Sequence, residues 1–243
     1  MENFLRVKMI RERKFIGFIK TKRMENNNMK FEHTKVYNIE NSLRGMRNPL
    51  ASWDKSDSEW IDEDFCIGKK DMNLATKLIN GGSEHCKFLR QIFVSVDITA
   101  PLYWWKEADT YKVGTTANST STMHKLASTP ITLDCFETDD LCTNLHILNE
   151  APLADESMNN FINFILEYLE ALREKYNETQ DKKYWKELIR WLPNGWLQTR
   201  TWTANYEVLR NMYHQRKNHK LSEWETFCSW IESLPYAEEF LIN

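Results

Sequence analysis

Glycine and proline are scarce in this chain, at seven and six of 243 residues. That excludes a collagenous, loop-dominated or low-complexity protein, which needs many of one or both. Cysteine is equally thin and badly arranged for pairing: Cys66, Cys86, Cys135, Cys142 and Cys228 are odd in number and unevenly spaced. The expectation is free thiols in a reducing, cytoplasmic setting rather than a disulfide framework. Cys135 and Cys142 with His124 and His146 lack the short repeated spacing of local zinc ligands, so no metal is expected. None of the cysteines stands in a nucleophile elbow or beside an evident basic activator. Long apolar runs are also missing. The island from Phe15 to Ile19 is far shorter than a signal-peptide core or a membrane span.

What the chain does have is aromatic bulk. Ten Trp, twelve Phe and nine Tyr in 243 residues supply a core, and the length suits one large domain or two small ones. The net charge of −3 conceals an uneven distribution. Residues 1–28 carry Arg6, Lys8, Arg11, Arg13, Lys14, Lys20, Lys22 and Arg23 against Glu2, Glu12 and Glu25, a local +5 that leaves −8 for the rest. An acidic body argues against a broad nucleic-acid surface, because polyanion affinity comes mainly from neutralised phosphates. The basic segment reads as a dispensable extension, with Met24 or Met29 able to start the folded chain, or as a basic or interfacial arm. Residues 29–243 read as a single domain.

Periodicity gives mixed helix and strand. Leu74 to Ile79 belongs to a short helix closed by Gly81 and Gly82. Ile92, Val94, Val96 and Ile98 alternate with Phe93, Ser95 and Asp97, which predicts the best strand of the chain. Pro101 ends that strand and suits the first turn of a helix, with Thr99 as candidate cap and Leu102, Trp105, Ala108 and Lys112 at helical spacing. Residues 129–157 are acidic and irregular, a lid or a connector. Phe161, Ile165, Tyr168, Leu169, Leu172 and Tyr176 form one stripe of a helix over 158–176, facing a core or a neighbouring subunit. A second helix is expected from Asp181 to Leu192. A strand is expected from Trp196 to Ala204, and Asn205 caps a helix reaching about His214. Ser222 to Glu225 spells an S-x-x-E capping box before the last helix.

The run from Ala100 to Leu126 changes character midway, from an aromatic helix to Thr115, Thr116, Asn118, Ser119, Thr120, Ser121 and Thr122 between Lys112 and Lys125. Small hydroxyl and amide side chains flanked by cations suit an anionic, hydroxyl-rich ligand such as a nucleotide. The same composition also suits a solvated loop. Trp104 and Trp105 fit core or subunit contacts better than a stacking platform.

In the C-terminal third, Leu192-Pro193, Trp202-Thr203, Asn205, Asn211, Arg216, His219 and Trp224-Glu225 stand in an order that resembles the flavin-dependent thymidylate synthases. One extra residue precedes Trp224. The family's Arg-His-Arg-x7-Ser hallmark, preceded by an Ala-Pro junction, then falls on Ala100-Pro101, Thr110-Tyr111-Lys112 and Thr120. His85 matches the first His of the family's His-x-x-Pro-Phe-Glu-His, while Phe88, Arg90 and Gln91 replace its Pro, Glu and second His. The resemblance spans roughly residues 40–240.

The resemblance implies an α+β fold with a central antiparallel sheet packed by helices, assembled as a homotetramer with sites between subunits. It implies FAD, held through His85, Thr110, Tyr111, Lys112, Asn205, Asn211 and His219. It implies a pyrimidine deoxynucleotide such as dUMP, held through Glu107, Asn118, Thr120, Thr122, Arg190 and Arg216 and methylated or otherwise modified at C5. NADPH and a methylene-folate are then co-substrates. Thr120 takes the place of the family Ser as the catalytic position, its hydroxyl orienting the nucleotide rather than acting as a nucleophile. Lys112 keeps a charge but loses the planar guanidinium fork, and Thr110 offers none. Glu107 replaces a Gln, Asn118 a Glu and Thr122 an Arg, exchanges that alter which donors and acceptors meet the ligand. Two other expectations stand beside the enzyme: a non-catalytic nucleotide-binding or regulatory protein on the same fold, and a structural interaction module.

Overall fold

Alternation along one strand sets the architecture. A computed structural model describes residues 29–139, 141 and 156–243. In strand β4 (Phe93–Pro101) Val94, Val96, Ile98 and Ala100 are at most 1% exposed, while Ser95, Asp97 and Thr99 face the other way. Two-residue periodicity thus gives the sheet one dry face and one wet one. β1 (Lys30–Tyr37) and β6 (Leu197–Asn205) flank β4, and β5 (Thr115–Ser119) pairs with the far side of β6. The order is β1-β4-β6-β5 and every pairing is antiparallel. A separate hairpin joins β2 (Glu59–Ile61) to β3 (Asp64–Cys66).

Helices pack on the dry face and, as a separate pair, around a second core. In chain order they are α1 (Ile39–Met46), α2 (Lys69–Asn80), α3 (Leu102–Ala108), α4 (Thr122–Lys125), α5 (Glu156–Thr179), α6 (Lys182–Arg190), α7 (Tyr206–Arg216) and α8 (Ser222–Glu232). A π-helical turn, Glu238–Ile242, follows. Trp104, Trp105, Trp224, Tyr206, Phe227 and Phe240 are the largest fully buried side chains. Each such ring takes roughly 150–250 Å² out of water, worth about 4–6 kcal/mol before ordering entropy is charged. A smaller core of Leu126, Ile131, Phe136, Leu169, Leu172 and Leu188 joins the α5–α6 pair to the segment after β5.

Several sequence expectations change on contact with this packing. Thr99 does not cap α3: its hydroxyl meets that of Thr199 across the β4–β6 pair at 2.7 Å. Pro101 is the last strand residue and occupies the cap position itself, with extended backbone at φ −68° and ψ 152°. The helix stops at Ala108, so Lys112 lies outside it. Thr115 to Ser119 is an edge strand rather than a loop. The S-x-x-E box does not form, because Ser222 is already helical and Leu221 holds the cap position. Asn205 behaves as expected, its side chain accepting from the Val208 N–H at 3.0 Å. The α5 stripe divides: Leu169 and Leu172 are buried, while Phe161 and Tyr168 stay exposed beside Phe164. Leu133–Cys135 forms one short turn within 129–139, and Pro152, Cys142 and His146 lie outside the described residues.

A buried ion pair fixes the N-terminal part. Arg47 meets Asp71 at 2.5 Å, with side chains 5% and 1% exposed. Ser56 and Ser58 donate their hydroxyls to the other Asp71 oxygen. Burial pushes the Asp71 carboxyl up, but the bonds from Ser56, Ser58 and Arg47 outweigh it and hold the group below its ordinary value.

Candidate functional site

Four side chains from distant parts of the sequence meet at one end of the helical layer. Glu107 is supplied by the last turn of α3, which the β4–Pro101 junction aims along the sheet. The tight turn after it delivers Tyr111: Thr110 donates its N–H and its hydroxyl to the Glu107 carbonyl, at 3.0 and 2.7 Å. α7, started by the Asn205 cap, ends at Arg216. The third helical residue of α8 is Trp224.

Arg216 is the centre. Its Nη1 lies 3.1 Å from Glu107 Oε2 and its Nε donates to the Tyr111 hydroxyl at 2.9 Å. Its guanidinium carbon sits 4.5 Å from the Trp224 ring centre and 5.5 Å from that of Tyr111, cation–π geometry on two rings. Trp224 Nε1 donates to the same Glu107 oxygen at 2.7 Å. The Tyr111 hydroxyl in turn donates to Gln215 Oε1 at 2.8 Å. His219 Nδ1 accepts from the Leu221 N–H at 3.2 Å, which places the proton of the neutral ring on Nε2, 3.7 Å from Glu107 Oε2. Arg216 is 19% exposed and Glu107 38%, against a wholly buried Trp224. The result is a partly exposed cation held between two ring faces and a carboxylate.

A second stacked cation, on β6, was not singled out in the sequence. Arg200 on β6 stacks on Trp105 with its guanidinium carbon 4.1 Å from the ring centre and pairs with Asp109 at 2.7 Å. It also donates to Gln198 Oε1 at 3.0 Å, and Gln198 Nε2 donates to the Thr120 carbonyl at 2.8 Å. Thr120 is thereby tied through its backbone to β6, its N–H donating to the Thr199 carbonyl at 2.9 Å, while its side chain stays exposed. The signal for Arg200 was a lone cation at an inward position of a Thr- and Trp-rich strand.

The remaining predicted residues are dispersed within one chain. Asn118 lies on β5 opposite Thr201, and Thr122 opens α4 just after the Ser121 cap. Lys112 and Asn211 are exposed. His85 is exposed in the turn after α2, its N–H bonded to the Gly82 carbonyl. Arg190 ends α6 and pairs with Glu187. Asn205 is committed to its cap. Among the described residues, Glu107, Tyr111, Arg216 and His219 converge directly, and Thr110 supports them through its bonds to the Glu107 carbonyl.

This arrangement of sheet and helices is that of the flavin-dependent thymidylate synthase fold. A structure of thymidylate synthase X from Helicobacter pylori with FAD and dUMP superposes with TM-score 0.60 at 17% identity, covering 90% of this chain and 98% of that one. A second structure of that enzyme with FAD and dUMP gives 0.59 at 17% identity over 87% and 97%. The UMP/dUMP methylase PolB from Streptomyces cacaoi, bound to 5-bromo-dUMP, gives 0.56 at 14% identity over 89% and 95%. Likeness at such identities establishes the fold. No family model matches the sequence, and no curated protein matches it in sequence.

Proposed function

We propose that this chain takes a pyrimidine deoxynucleotide such as dUMP at the Arg216 centre and modifies C5 of its base, thymidylate synthesis being the simplest form. The observation that carries the reading is Arg216 itself. It ends α7 at the family-matched position and is held by Glu107, Tyr111 and Trp224 while staying partly exposed. Fixing the guanidinium before the ligand arrives removes an ordering cost from binding. The exposed Asn118 and Thr120 and the partly buried Thr122 add hydrogen-bonding groups for sugar and phosphate, and Arg190 is an exposed cation for the same ligand.

The fold implies FAD, and the turn matching the family hallmark does not fit that group well. The Thr110 hydroxyl is bonded to the Glu107 carbonyl and the Tyr111 hydroxyl to Gln215 and Arg216. Lys112 is the one cation in the three positions, and an ammonium lacks the bidentate fork that grips a diphosphate. This favours a second reading, in which the chain binds a pyrimidine nucleotide without catalysis and acts as a regulatory protein. The enzyme form, with FAD as cofactor and NADPH and methylene-folate as co-substrates, rests on the fold and on His85, Asn211 and Lys112 remaining exposed. A homotetramer with shared sites accords with the dispersal of His85 and Arg190 and with the exposed Phe161, Phe164 and Tyr168 on α5. Among the described residues no helix is long and apolar enough to cross a membrane.

The two readings separate in one cuvette. The purified protein is incubated with FAD, desalted and scanned for flavin absorption, then supplied with dUMP, NADPH and methylene-folate. A retained flavin band and a dUMP mass increased by one methylene unit support the enzyme. A colourless protein that leaves dUMP unchanged yet binds it, and loses that binding in Arg216→Ala, supports the non-catalytic form.

A further inference from the structure

We infer that a groove along α5 is the docking site of this chain's own basic segment, residues 1–28, which enters it through Phe15–Ile19. The inference does not depend on the nucleotide reading. The groove has a volume of about 320 Å³. Ile131, Leu166 and Ala171 line it with apolar surface, and Glu167, Glu170 and Glu174 line it with carboxylates. Glu167, Glu170, Ala171 and Glu174 share one helix face, because positions three and four apart are neighbours along an α-helix. Glu170 is engaged, accepting from the Ile131 N–H and from Arg173 Nε, each at 2.8 Å. Glu167 and Glu174 are exposed and make no ion pair among the described residues. Two carboxylates therefore stand without a counter-charge beside apolar surface.

The basic segment carries the complement. Phe15, Ile16, Phe18 and Ile19 form its apolar island, with Arg13 and Lys14 before it and Lys20, Lys22 and Arg23 after it. An apolar centre between cations thus meets an apolar floor between carboxylates. The wider charges agree, +5 in residues 1–28 against −8 in the rest. Reach is sufficient. Met29 leads into β1, at the sheet edge opposite β5, while the small core that includes α5 joins the segment after β5, so the island has to cross the molecule. From Phe15–Ile19 to Met29 the chain extends about 33–46 Å, against a breadth of about 45 Å for a domain of this size. The tether also gives the segment an effective concentration of about millimolar at the groove, so contacts too weak to hold a free peptide hold this one.

The full chain tests the assignment at low ionic strength. A carbodiimide, which couples a lysine amine to a carboxylate only at contact distance, is added and the links are mapped by peptide mass spectrometry. The expected links run from Lys14, Lys20 or Lys22 to Glu167 or Glu174, and their yield falls in 1 M salt, where the Debye length is about 3 Å. In parallel, trypsin is used to release the segment from the wild-type full chain and from a full chain carrying both Glu167→Gln and Glu174→Gln, its fold checked by circular dichroism. Release from the double variant is expected to be about threefold to tenfold faster, because two exposed ion pairs are lost. The inference is overturned if these lysines couple to carboxylates outside the groove instead, if the yield is unchanged in 1 M salt, or if the variant is cleaved at the wild-type rate. Links joining isotope-labelled to unlabelled copies would give the groove to a second copy's segment and overturn it as well. No nucleotide is present in either experiment, so failure here leaves the nucleotide reading standing.

Discussion

At the scale of single residues, Asp71 shows how much a buried charge depends on its partners. Its carboxyl receives Arg47 and both Ser56 and Ser58, at a side-chain exposure of 1%. Asp71→Asn leaves Arg47 buried without a counter-charge, and the expected loss is about 3–5 kcal/mol in urea unfolding at neutral pH. Desolvation raises the Asp71 pKa but the three partners lower it further, so the folded value lies under the ordinary 3.8. Its contribution to stability is therefore complete above pH 3.8 and is lost as pH falls through the lower folded value. Unfolding curves across that acid range check this: the wild type loses stability there, and Asp71→Asn loses less. The residues of the Arg216 cluster and its surroundings were legible to different degrees. Glu107, Tyr111, Arg216 and His219 were found through their family order, because nothing in local composition says that residues 109 positions apart share a carboxylate. Arg200 was missed, since one cation in a strand looks like surface until the strand's inward face is known.

At the scale of elements, period and capping chemistry carried most of the reading. β4, β6 and α7 followed from alternation and from Asn205. Asn205→Ala is expected to cost about 1 kcal/mol of stability, measured by thermal or urea unfolding. Gly114 is tied to the same cap. It has φ +78°, and a Cβ there would stand 2.9 Å from Asn205 Nδ2 and 3.0 Å from Val208 Cγ2. Gly114→Ala therefore strains the turn into β5 and crowds the cap, with an expected loss of about 1–3 kcal/mol. The two changes couple: in an Asn205→Ala background the Gly114→Ala loss shrinks, because the nearest clashing atom has gone. Where the element reading failed, a tertiary contact had won. Thr99 turned to Thr199 across the sheet instead of capping α3, and Leu221 took the α8 cap that the S-x-x-E spelling assigned to Ser222. The Ser/Thr run became β5 because β6 offered it a free edge, with pairing partners 81 to 89 residues away that local polarity does not reveal.

At the scale of the whole molecule, the fold class was legible because the order of elements and the motif residues of the C-terminal third together resemble one family, whose fold the structure has. The division of the α5 stripe between a buried half and an exposed half was not, since periodicity marks an apolar face without saying what covers it. Met29 is 6% exposed and belongs to the core. A chain starting at Met29 is expected to keep the nucleotide affinity of the full chain, and one starting at Phe31 to melt lower than the Met29 chain, as scanning calorimetry would show. A solution mass by light scattering tests the shared-site tetramer, which a monomer would contradict. The central claim is that Arg216, held by Glu107, Tyr111 and Trp224, is the anchor of a pyrimidine nucleotide site. Isothermal titration of dUMP into the wild type and a folded Arg216→Ala variant tests it most directly. The account predicts saturable binding by the wild type and a loss of about tenfold or more in the variant. Equal binding by the two proteins, or none by the wild type, would contradict it.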